Sequence, residues 1–516
     1  MSLGVAVGRW RQQRPEAIAL FDGARHRTWR ELDDRTNQLA NLLARNYAVG
    51  PGDRVALLTE NRMEVAEVLV GTHKAGGVYV GLNFRFDPEE VDGALDNAEP
   101  RVLLLSGEFA ARGAEVAQHR GIPALDLDDM GPDGYEALLR QADRVTPARM
   151  HRIRPQDEAC IVYTSGTTGR PKGVCFDHAA MLQHATITCL EYEINSGTRY
   201  LVQIPHNSSV NITMAPCLTV GAALGFADNR SFDPHRFATM VRDRQVTHTF
   251  LVPTQLMRIL DQLPADDARL ASLQTLGYGS SPIAPGRLGS LIERYGPIFI
   301  QLYGMAEVAS IGTLLRKDDH IRALRGSPQL LASCGRPSLG MDVLVVNANG
   351  EEVPVGTRGE VVFSGPHLMR GYNKDPARTG KAIIDGRMHS GDIATADDDG
   401  YVYIVDRIKN LIIRGGQNIV PTEIENTLYR HPAVLEAGVV GAPDPEWGER
   451  VVAVVALKRS AVVTEKELVT FIQNSDLARF KRPEEVRIVD TLPKNPVGKI
   501  DKQAVRGWFW KNDRAV

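Results

Sequence analysis

The chain has 516 residues, which is enough for more than one domain and a large buried core. Its 60 lysines and arginines nearly balance 63 aspartates and glutamates, so no basic excess points to nucleic acid or an anionic membrane surface as a partner. Five scattered cysteines without a Cys-x-x-Cys pair favour buried thiols over disulfides or a zinc site. No secretory signal is evident, and the apolar run 214–227, interpreted as a buried helix and turn, is too short to span a bilayer. We therefore expect a cytoplasmic protein without a membrane span.

Apolar runs and helical periodicities alternate from residue 15 to about residue 303. Strands are predicted at 54–58, 101–105, 159–163, 174–176 and 298–300, and helices at 30–43 and 63–75. Asp177, just after the strand at 174–176, has the position of a helix N-cap. A β-α rhythm of this length predicts parallel sheets covered by helices.

The pattern changes after Gly340. Short β-rich runs at 341–346, 359–364 and 401–405 predict a β-barrel-like subdomain, either a compact barrel or an antiparallel sheet. A smaller α/β unit follows, with helices expected near 422 and 464 and strands near 434 and 451. The fold class is therefore α/β. We expect a large N-terminal domain, 1–407, of two βα-layered sheets plus the β-rich subdomain at about 341–406, and a small C-terminal α/β domain, 408–516.

The segment most informative about function is 163–174, which reads Tyr-Thr-Ser-Gly-Thr-Thr-Gly-Arg-Pro-Lys-Gly-Val. Glycines let backbone N–H groups crowd around an anion, hydroxyls add donors, and Lys172 supplies a charge that can follow a phosphate. We interpret the segment as a nucleotide triphosphate cradle, with Thr164, Ser165, Gly166, Thr167, Thr168 and Gly169 as its binding residues. It is not a P-loop, because Lys172 is followed by glycine rather than by Ser or Thr. Composition alone would also allow an ordinary Ser/Thr/Gly-rich surface loop.

With this segment the chain resembles the adenylate-forming acyl-CoA synthetases, a family that includes aryl-acid adenylating domains and luciferases. The resemblance extends over most of the chain, from the first βα units to Lys499. It implies a two-step reaction in which a carboxylate attacks the α-phosphate of ATP to give acyl-AMP and pyrophosphate, and a thiol then displaces AMP. It also implies ATP or AMP, Mg²⁺ and coenzyme A as cofactors.

A second motif, Tyr303-Gly304-Met305-Ala306-Glu307, follows the strand predicted at 298–300. An aromatic ring, a glycine and a carboxylate at the end of a strand can stack a base and hold a cation. The resemblance implies that Tyr303 stacks on adenine, that Gly304 and Ala306 border the nucleotide, and that Glu307 with Thr164 binds Mg²⁺. Without the first motif, an ordinary exit from a strand into a turn would be the preferred interpretation.

Two places depart from the family pattern. Ala306 stands where the family has threonine, and loss of one hydroxyl aimed at the α-phosphate can slow a reaction by roughly 10²–10³, so adenylation is expected to be weakened unless a neighbouring hydroxyl compensates. The segment 204–209 carries Asn207 and Ser208 where the family commonly has bulky rings that line the acyl site, and His206, Asn207 and Ser208 are the predicted substrate-binding residues. Smaller polar groups leave room, which predicts a bulky or oxygenated acid rather than a flat aryl one.

Two further segments take nucleotide-binding roles from the resemblance. The glycine-rich run 277–282 would line the adenine through Gly279, Ser280 and Ser281. Asp392 and Arg407 would hold the ribose hydroxyls, because a carboxylate accepts from them and a guanidinium donates to them. Ser390 and Asp406 are mild variants of the family pattern. Taken singly, these residues would form a strand with its turn and a surface ion pair of little consequence.

The C-terminal domain carries the remaining motifs. Lys409 has the position of the family's hinge, so the resemblance implies a mobile C-terminal domain that rotates between two poses. One pose serves adenylation, and the other brings Gly415 and Gly416 beside the pantetheine arm of coenzyme A, since glycines suit a close approach. Lys499, on a loop bounded by glycine and proline, would bridge the carboxylate and the α-phosphate during adenylation. By themselves these residues would be a turn before a helix and a solvent-facing lysine.

The predicted function is that of an acyl-CoA synthetase with Lys172, Glu307 and Lys499 as catalytic residues. Three alternatives stay open. The first is an enzyme that only forms thioesters, using acyl-adenylate from a separate adenylating enzyme. The second is a stand-alone adenylating enzyme that loads a carrier protein. The third is an idle nucleotide-binding scaffold. In each enzymatic case the partner is a small carboxylic acid or its adenylate, with no nucleic acid, and the sequence does not reveal the oligomeric state.

Overall fold

The computed structural model describes residues 2–164, 171–227, 230–459, 461–494 and 500–510, apart from the side chain of residue 418. The chain divides into two compact units. The first comprises Met1–Val343 and Phe363–His389, and the second comprises Leu344–Val362 and Ser390–Val516. The predicted boundary at residue 407, between a large N-terminal domain and a mobile C-terminal domain, stays a prediction.

The first unit contains a nine-stranded sheet whose central strands are parallel. In spatial order its strands are Arg336–Pro337, Thr313–Leu315, Phe299–Tyr303, Thr275–Gly279, His248–Leu251, Arg199–Val202, Ala223–Phe226, Ile18–Asp22 and Arg25–Thr28. At one end of this order, Arg336–Pro337 and Thr313–Leu315 pair antiparallel with their neighbours, and at the other end Arg25–Thr28 pairs antiparallel with Ile18–Asp22. The parallel strands Ala223–Phe226, His248–Leu251 and Thr275–Gly279 are buried along their whole length, as expected for strands covered on both faces.

A seven-stranded sheet completes the strands of the first unit. Its order is Gly371–Tyr372, Lys172–Asp177, Glu158–Thr164, Val78–Leu82, Arg54–Leu58, Val102–Leu105 and Ala124–Asp126. The last five are parallel and the first two antiparallel. The two βα-layered sheets predicted from the sequence are thereby confirmed.

Helices connect these strands. They are Leu3–Gln13, Trp29–Asn46, Met63–Lys74, Pro88–Ala98, Ala110–His119, Tyr135–Gln141, His178–Glu191, His206–Ser209, Ala215–Val220, Pro234–Arg244, Pro253–Gln262, Pro285–Tyr295, Lys317–Leu324 and Pro376–Ala382, with a π-turn at Val210–Met214. Local signals set their ends. Thr28 and Glu31 form a reciprocal capping box, and the Asp177 carboxylate accepts from the Ala180 N–H at 2.8 Å, which confirms the predicted N-cap.

The chain crosses between the units within a third, five-stranded sheet. Its strands are Asp342–Val346, Gly359–Ser364, Arg387–Ala396, Ile383–Ile384 and Val402–Arg407. Arg387–Ala396 pairs antiparallel with both Ile383–Ile384 and Val402–Arg407. Of the two architectures predicted for this β-rich region, the structure shows the sheet.

The rest of the second unit packs helices on another five-stranded sheet. Its strands are Gln417–Ile419, Ile412–Arg414, Gly448–Leu457, Val434–Asp444 and Glu485–Val489, and its helices are Pro421–Leu428, Glu465–Gln473 and Lys502–Trp510. One core of buried apolar residues joins this sheet to the helices Pro421–Leu428 and Glu465–Gln473, and a second core, which includes Val505, joins the helix Lys502–Trp510 to it. Among the described residues of either unit, no helix combines the length and the apolar character that crossing a membrane requires.

Candidate functional site

Two predicted nucleotide-binding segments leave the nine-stranded sheet at one edge. Strands Thr275–Gly279 and Phe299–Tyr303 are parallel neighbours, with Gly279 in register with Leu302. Their carboxyl ends therefore bring Gly279, Ser280 and Ser281 beside Tyr303, and ligands of open α/β sheets bind at such ends. The Tyr303 ring lies 6.0 Å from the ring of Phe363, which supports it from within the same unit.

The loop after Tyr303 is tightly wound. Ala306–Val308 form a single 3₁₀ turn, and Ala309 and Ser310 then adopt left-handed backbone angles, with φ of 50° and 82°. A Cβ atom on residue 304 would come within 2.5 Å of the Ser310 carbonyl oxygen, so only glycine fits there. Two successive non-glycine residues in this region cost energy, and such strain is concentrated at functional sites.

Glu307 is the centre of a buried polar cluster. Its carboxylate, 2% exposed, accepts through Oε1 from Lys172 Nζ at 2.5 Å and from Tyr372 Oη at 2.7 Å. The Lys172 ammonium also lies 5.2 Å from the centre of the Tyr372 ring. Burial, reinforced by the Glu307 carboxylate, raises the pKa of Tyr372, so its hydroxyl stays protonated and donates. The two predicted catalytic residues, 135 positions apart, are thus in contact.

Thr164 lies in the seven-stranded sheet, where it is in register with Lys172 across the antiparallel strands Glu158–Thr164 and Lys172–Asp177. Its hydroxyl is buried and makes no hydrogen bond within the described part of the chain. In those residues no three His, Cys, Asp or Glu side chains converge as a metal-binding group. Mg²⁺ is commonly bound by one or two carboxylates and completed by substrate phosphates. Glu307 and Thr164 would hold it, and Lys172 would face the phosphates.

The other residues of the predicted cradle, Ser165, Gly166, Thr167, Thr168 and Gly169, lie outside the described residues. Lys499 also lies outside them. Their roles stay predictions.

The predicted acyl-site segment is mostly buried. His206 Nδ1 and Tyr79 Oη form a hydrogen bond of 3.0 Å. Burial lowers the pKa of His206 to about 4, and a hydrogen bond with the Thr59 backbone opposes this shift only weakly. The ring is therefore neutral. Asn207 packs on the strand Val78–Leu82, since a Cβ on Gly81 would lie 3.2 Å from its Cα. Ser208, by contrast, is exposed.

Asn207 and Asn211 stand one helical turn apart and share an unusual feature. They are 4% and 5% exposed, and within the described residues neither amide oxygen has a hydrogen-bond partner. Buried amides are normally paired, so two such groups on one face mark a place where a polar partner belongs. The sequence motif had named Asn207 but not Asn211.

In the second unit, Asp392 and Arg407 are paired across adjacent strands, with Arg407 Nε 3.0 Å from Asp392 Oδ1. Ser390 lies in the same strand as Asp392, and its hydroxyl donates to the Val361 carbonyl at 2.6 Å and accepts from the Asp392 N–H at 3.0 Å. Serine therefore supplies the hydroxyl that the family threonine would supply. The ribose-binding role of Asp392 and Arg407 stays a prediction.

Asp406 has a role that the sequence did not reveal. Its carboxylate is 6% exposed and accepts four hydrogen bonds. Oδ2 accepts from the N–H and hydroxyl of Thr422 at 3.0 and 2.8 Å, and Oδ1 accepts from the Arg407 N–H and from Asn410. A carboxylate at the start of the helix Pro421–Leu428 caps free N–H groups and complements the helix dipole. It also fixes the strand end that precedes Lys409.

Gly415 and Gly416 form the two-residue turn of a hairpin, with φ of 54° and 76°. Positive φ at both positions is what such hairpin turns require. The Gly415 N–H donates to the Trp447 carbonyl at 2.8 Å, and the Trp447 ring, 46% exposed, lies so close that a Cβ on Gly415 would come within 2.7 Å of it. An exposed indole beside a glycine turn is a ready surface for a planar ligand group.

Comparisons with known proteins agree with this architecture. Residues 7–373 match the family model of the AMP-binding enzymes, and residues 423–499 match the model of the AMP-binding enzyme C-terminal domain. A feruloyl-CoA synthase of an Amycolatopsis species is 37% identical over 515 residues, covering 98% of this chain and 99% of that protein. A medium/long-chain fatty acid–CoA ligase of Mycobacterium tuberculosis is 38% identical over 513 residues, covering 96% of this chain and 88% of that protein. The crystal structure of ATP-bound MatB from Rhodopseudomonas palustris superposes with a TM-score of 0.87 at 28% identity, covering 99% of both chains.

The chain therefore belongs to the AMP-binding enzyme family of adenylate-forming acyl-CoA synthetases, which are ATP-dependent acid–thiol ligases. Membership implies binding of ATP or AMP and a carboxylic acid as substrate.

Proposed function

We propose that the protein forms an acyl-CoA thioester from an oxygenated carboxylic acid through an acyl-adenylate, with ATP, Mg²⁺ and coenzyme A. The observation that carries the choice of acid is the pair of buried, unpartnered amide oxygens on Asn207 and Asn211. A hydroxyl group on the acid could donate to either oxygen. A purely hydrocarbon acid would leave both amide oxygens buried without partners, at a cost of about 1–3 kcal/mol each.

Each predicted site residue of the first unit has its own role in this proposal. Lys172 would neutralise charge on the phosphates, Glu307 and Thr164 would hold Mg²⁺, and Tyr303 would bind the adenine. When bound, Mg²⁺ would screen the triphosphate against the approaching carboxylate. Tyr372 would keep the Glu307 carboxylate in place through its 2.7 Å hydrogen bond. In the second unit, Asp392 and Arg407 would hold the ribose and Lys499 would assist adenylation, with Lys409 at the hinge.

Coenzyme A is supported as the thiol by the hairpin turn of the second unit. A Cβ on Gly416 would have no atom within 4 Å, so this glycine leaves the backbone open to a pantetheine arm, and the exposed Trp447 ring beside Gly415 can stack a base.

One observation favours a second candidate, an enzyme that forms thioesters only from adenylate supplied by a partner. Ala306 sits between Gly304 and Glu307 with a methyl group where the family has a hydroxyl donor. Loss of one such donor costs about 10²–10³ in rate.

The test uses pairs of acids of nearly equal size that differ by one hydroxyl and are not flat aryl acids, such as decanoate and 10-hydroxydecanoate. Each is offered as free acid with ATP, Mg²⁺ and coenzyme A, and as synthetic acyl-adenylate with coenzyme A, and acyl-CoA is detected by mass spectrometry. We expect the hydroxylated member of each pair to have the higher kcat/KM, by tenfold or more. Asn207→Leu and Asn211→Leu should reduce that preference. Preference for the unsubstituted acids would refute the proposal, and product from adenylates alone would establish the second candidate.

A further inference from the structure

A pair of buried histidines lies next to Asn211 in the first unit. His184, in the helix His178–Glu191, and His367 are both 0% exposed, and their ring centroids are 5.3 Å apart in an edge-to-face arrangement. Within the described residues, neither His184 Nε2 nor His367 Nδ1 has a hydrogen-bond partner. Because buried polar atoms are normally bonded, the two nitrogens mark a place where a polar group of a ligand belongs.

Contacts on both sides place the pair beside the proposed acyl site. The helix that carries His184 packs on the π-turn that contains Asn211, and the His184 ring interacts with the Asn211 backbone. On the other side, His367 Nε2 lies 3.2 Å from the carbonyl oxygen of Ile311, in the strained loop that follows Glu307. The two rings therefore connect the asparagine turn to the loop that carries the Glu307 carboxylate.

The hydrogen bonds of each ring show which nitrogen is left to accept. A carbonyl oxygen only accepts, so His367 Nε2 carries the proton that bonds Ile311, and Nδ1 holds a lone pair. In the other ring, Nδ1 lies 3.4 Å from Thr188 Oγ1, whose own proton bonds the His184 carbonyl at 2.9 Å. The Thr188 oxygen therefore accepts from Nδ1, which leaves the lone pair of His184 on Nε2.

Neither ring is charged at neutral pH. Burial and the neighbouring His367 ring lower the pKa of His184 to about 3, with the Asn211 backbone opposing that shift, and burial also lowers the pKa of His367. Both unbonded nitrogens are therefore acceptors, to which a hydroxyl group can donate but a carbonyl or ether oxygen cannot. An asparagine amide can rotate to present its NH₂ group instead, so Asn207 and Asn211 alone do not make this distinction.

We propose that His184 and His367 are specificity-determining residues of the acyl site, which select a hydroxyl group on the acid over a carbonyl or ether oxygen in the same place. The inference rests on the proposed function and deepens it from an oxygenated acid to a hydroxylated one. A hydroxyl group would donate to one of the imidazole nitrogens. An oxo group would place its lone pairs against them and leave both nitrogens buried without partners.

The test compares decanoate with hydroxydecanoates and oxodecanoates of nearly equal size, such as 9-hydroxydecanoate and 9-oxodecanoate and their isomers with the oxygen nearer the carboxylate. The flexible chain and the series of isomers let the oxygen reach different depths of the site. Each acid is offered free with ATP, Mg²⁺ and coenzyme A, and as synthetic acyl-adenylate with coenzyme A, and kcat/KM for acyl-CoA formation is measured. For at least one isomer, we expect the wild-type protein to prefer the hydroxydecanoate over the matching oxodecanoate by about tenfold or more.

Two variants remove the acceptor nitrogens without removing a charge. His184→Phe keeps a ring of similar shape, and His367→Gln keeps a donor for the Ile311 carbonyl but has no acceptor at Nδ1. Each should lower the preference for hydroxy over oxo acid by about tenfold and leave kcat/KM for decanoate within about twofold of the wild-type value. Since the two residues lie on different elements, either variant tests the prediction if the other does not fold.

A second buried histidine pair provides the matched control. The rings of His73 and His178 are 4.7 Å apart, and the Nδ1 atom of each has no partner in the described part of the chain. His73 Nε2 lies 3.0 Å from the Ala159 carbonyl, at the beginning of the strand Glu158–Thr164, whereas ligands of such sheets bind at the carboxyl ends of strands. His178→Phe makes the same replacement earlier in the helix that carries His184, and it should leave the preference unchanged.

The outcomes separate this inference from the proposed function. Equal use of hydroxydecanoates and oxodecanoates would overturn the inference, and so would variants of His184 and His367 that change the preference no more than His178→Phe does. In both cases a preference for oxygenated acids over decanoate would leave the proposed function standing. Preference for decanoate over every oxygenated acid would refute the proposed function and the inference with it. If only adenylates yield acyl-CoA, the same comparisons among the adenylates decide.

Discussion

The contact between Lys172 and Glu307 yields the sharpest prediction for the first unit. Lys172→Met removes an ammonium 2.5 Å from a carboxylate that is 2% exposed and leaves Tyr372 as the remaining donor to the same oxygen. A hydrogen bond to a charged group contributes about 1.5–3 kcal/mol, and a buried charge left without its partner costs more. Lys172 itself is 25% exposed, so water moderates the loss. We expect the free energy of unfolding to fall by about 2–3 kcal/mol.

The assay is a double-mutant cycle in urea. Glu307→Gln removes the charge that Lys172 neutralises, so Lys172→Met should cost less in that background than in the wild type, with a coupling energy of at least about 1 kcal/mol. Lys317→Met is the control, because its ion pair with Glu193 is also 2.5 Å long but Glu193 is 62% exposed. That variant should cost less than about 1 kcal/mol. Additive effects of Lys172→Met and Glu307→Gln would refute the reasoning.

Three further predictions follow from other parts of the chain. Ala306→Thr should raise pyrophosphate release by tenfold or more, while Ala306→Val, which has the same shape without the hydroxyl, should not; an equal gain in both would exclude the hydroxyl as the cause. Trp447→Ala should raise KM for coenzyme A by about tenfold, because stacking a base contributes about 1–3 kcal/mol. Pyrophosphate release should not change, and an unchanged KM would show that Trp447 does not contact coenzyme A. Burial lowers the pKa of His184 to about 3 and that of His206 to about 4, so the unfolded chain takes up protons first as pH falls below 6.5. Each of these two histidines should lower the free energy of unfolding by about 2 kcal/mol at pH 5 relative to pH 7. The urea midpoint of unfolding should fall accordingly, and a constant midpoint would contradict this prediction.

Much of the fold follows from local sequence signals. The predicted strand at 54–58 appears as Arg54–Leu58, and the helix predicted at 63–75 appears as Met63–Lys74, because long apolar runs and strict helical spacing leave few alternatives. The prediction of a buried helix and turn over 214–227 is wrong for the second half of that run. The helix there ends at Val220, and Ala223–Phe226 form a buried parallel strand. Four apolar residues fit a buried helix or a buried strand equally well, and only the neighbouring strands decide.

The site was less predictable, because its contacts join distant positions. The motifs named Lys172 and Glu307 separately, but nothing local indicates that one pairs with the other or that Tyr372 donates to the same oxygen. The signal that could have drawn attention to Tyr372 is an aromatic residue after Gly371, at a strand edge. Asn211 shows its importance only when burial and missing partners are known together.

Departures from a family pattern need the same structural scrutiny before they are taken as losses. Asp406, a mild variant of the family pattern, accepts four hydrogen bonds, so this departure adds an anchor beside the predicted hinge. Ser390, the other mild variant, keeps a hydroxyl that bonds to the Val361 carbonyl and to the Asp392 N–H. Ala306 differs from both, because a methyl group can neither donate nor accept. The proposal of an enzyme dependent on adenylate made elsewhere therefore rests on this residue, and a comparison of the threonine and valine variants at position 306 tests it directly.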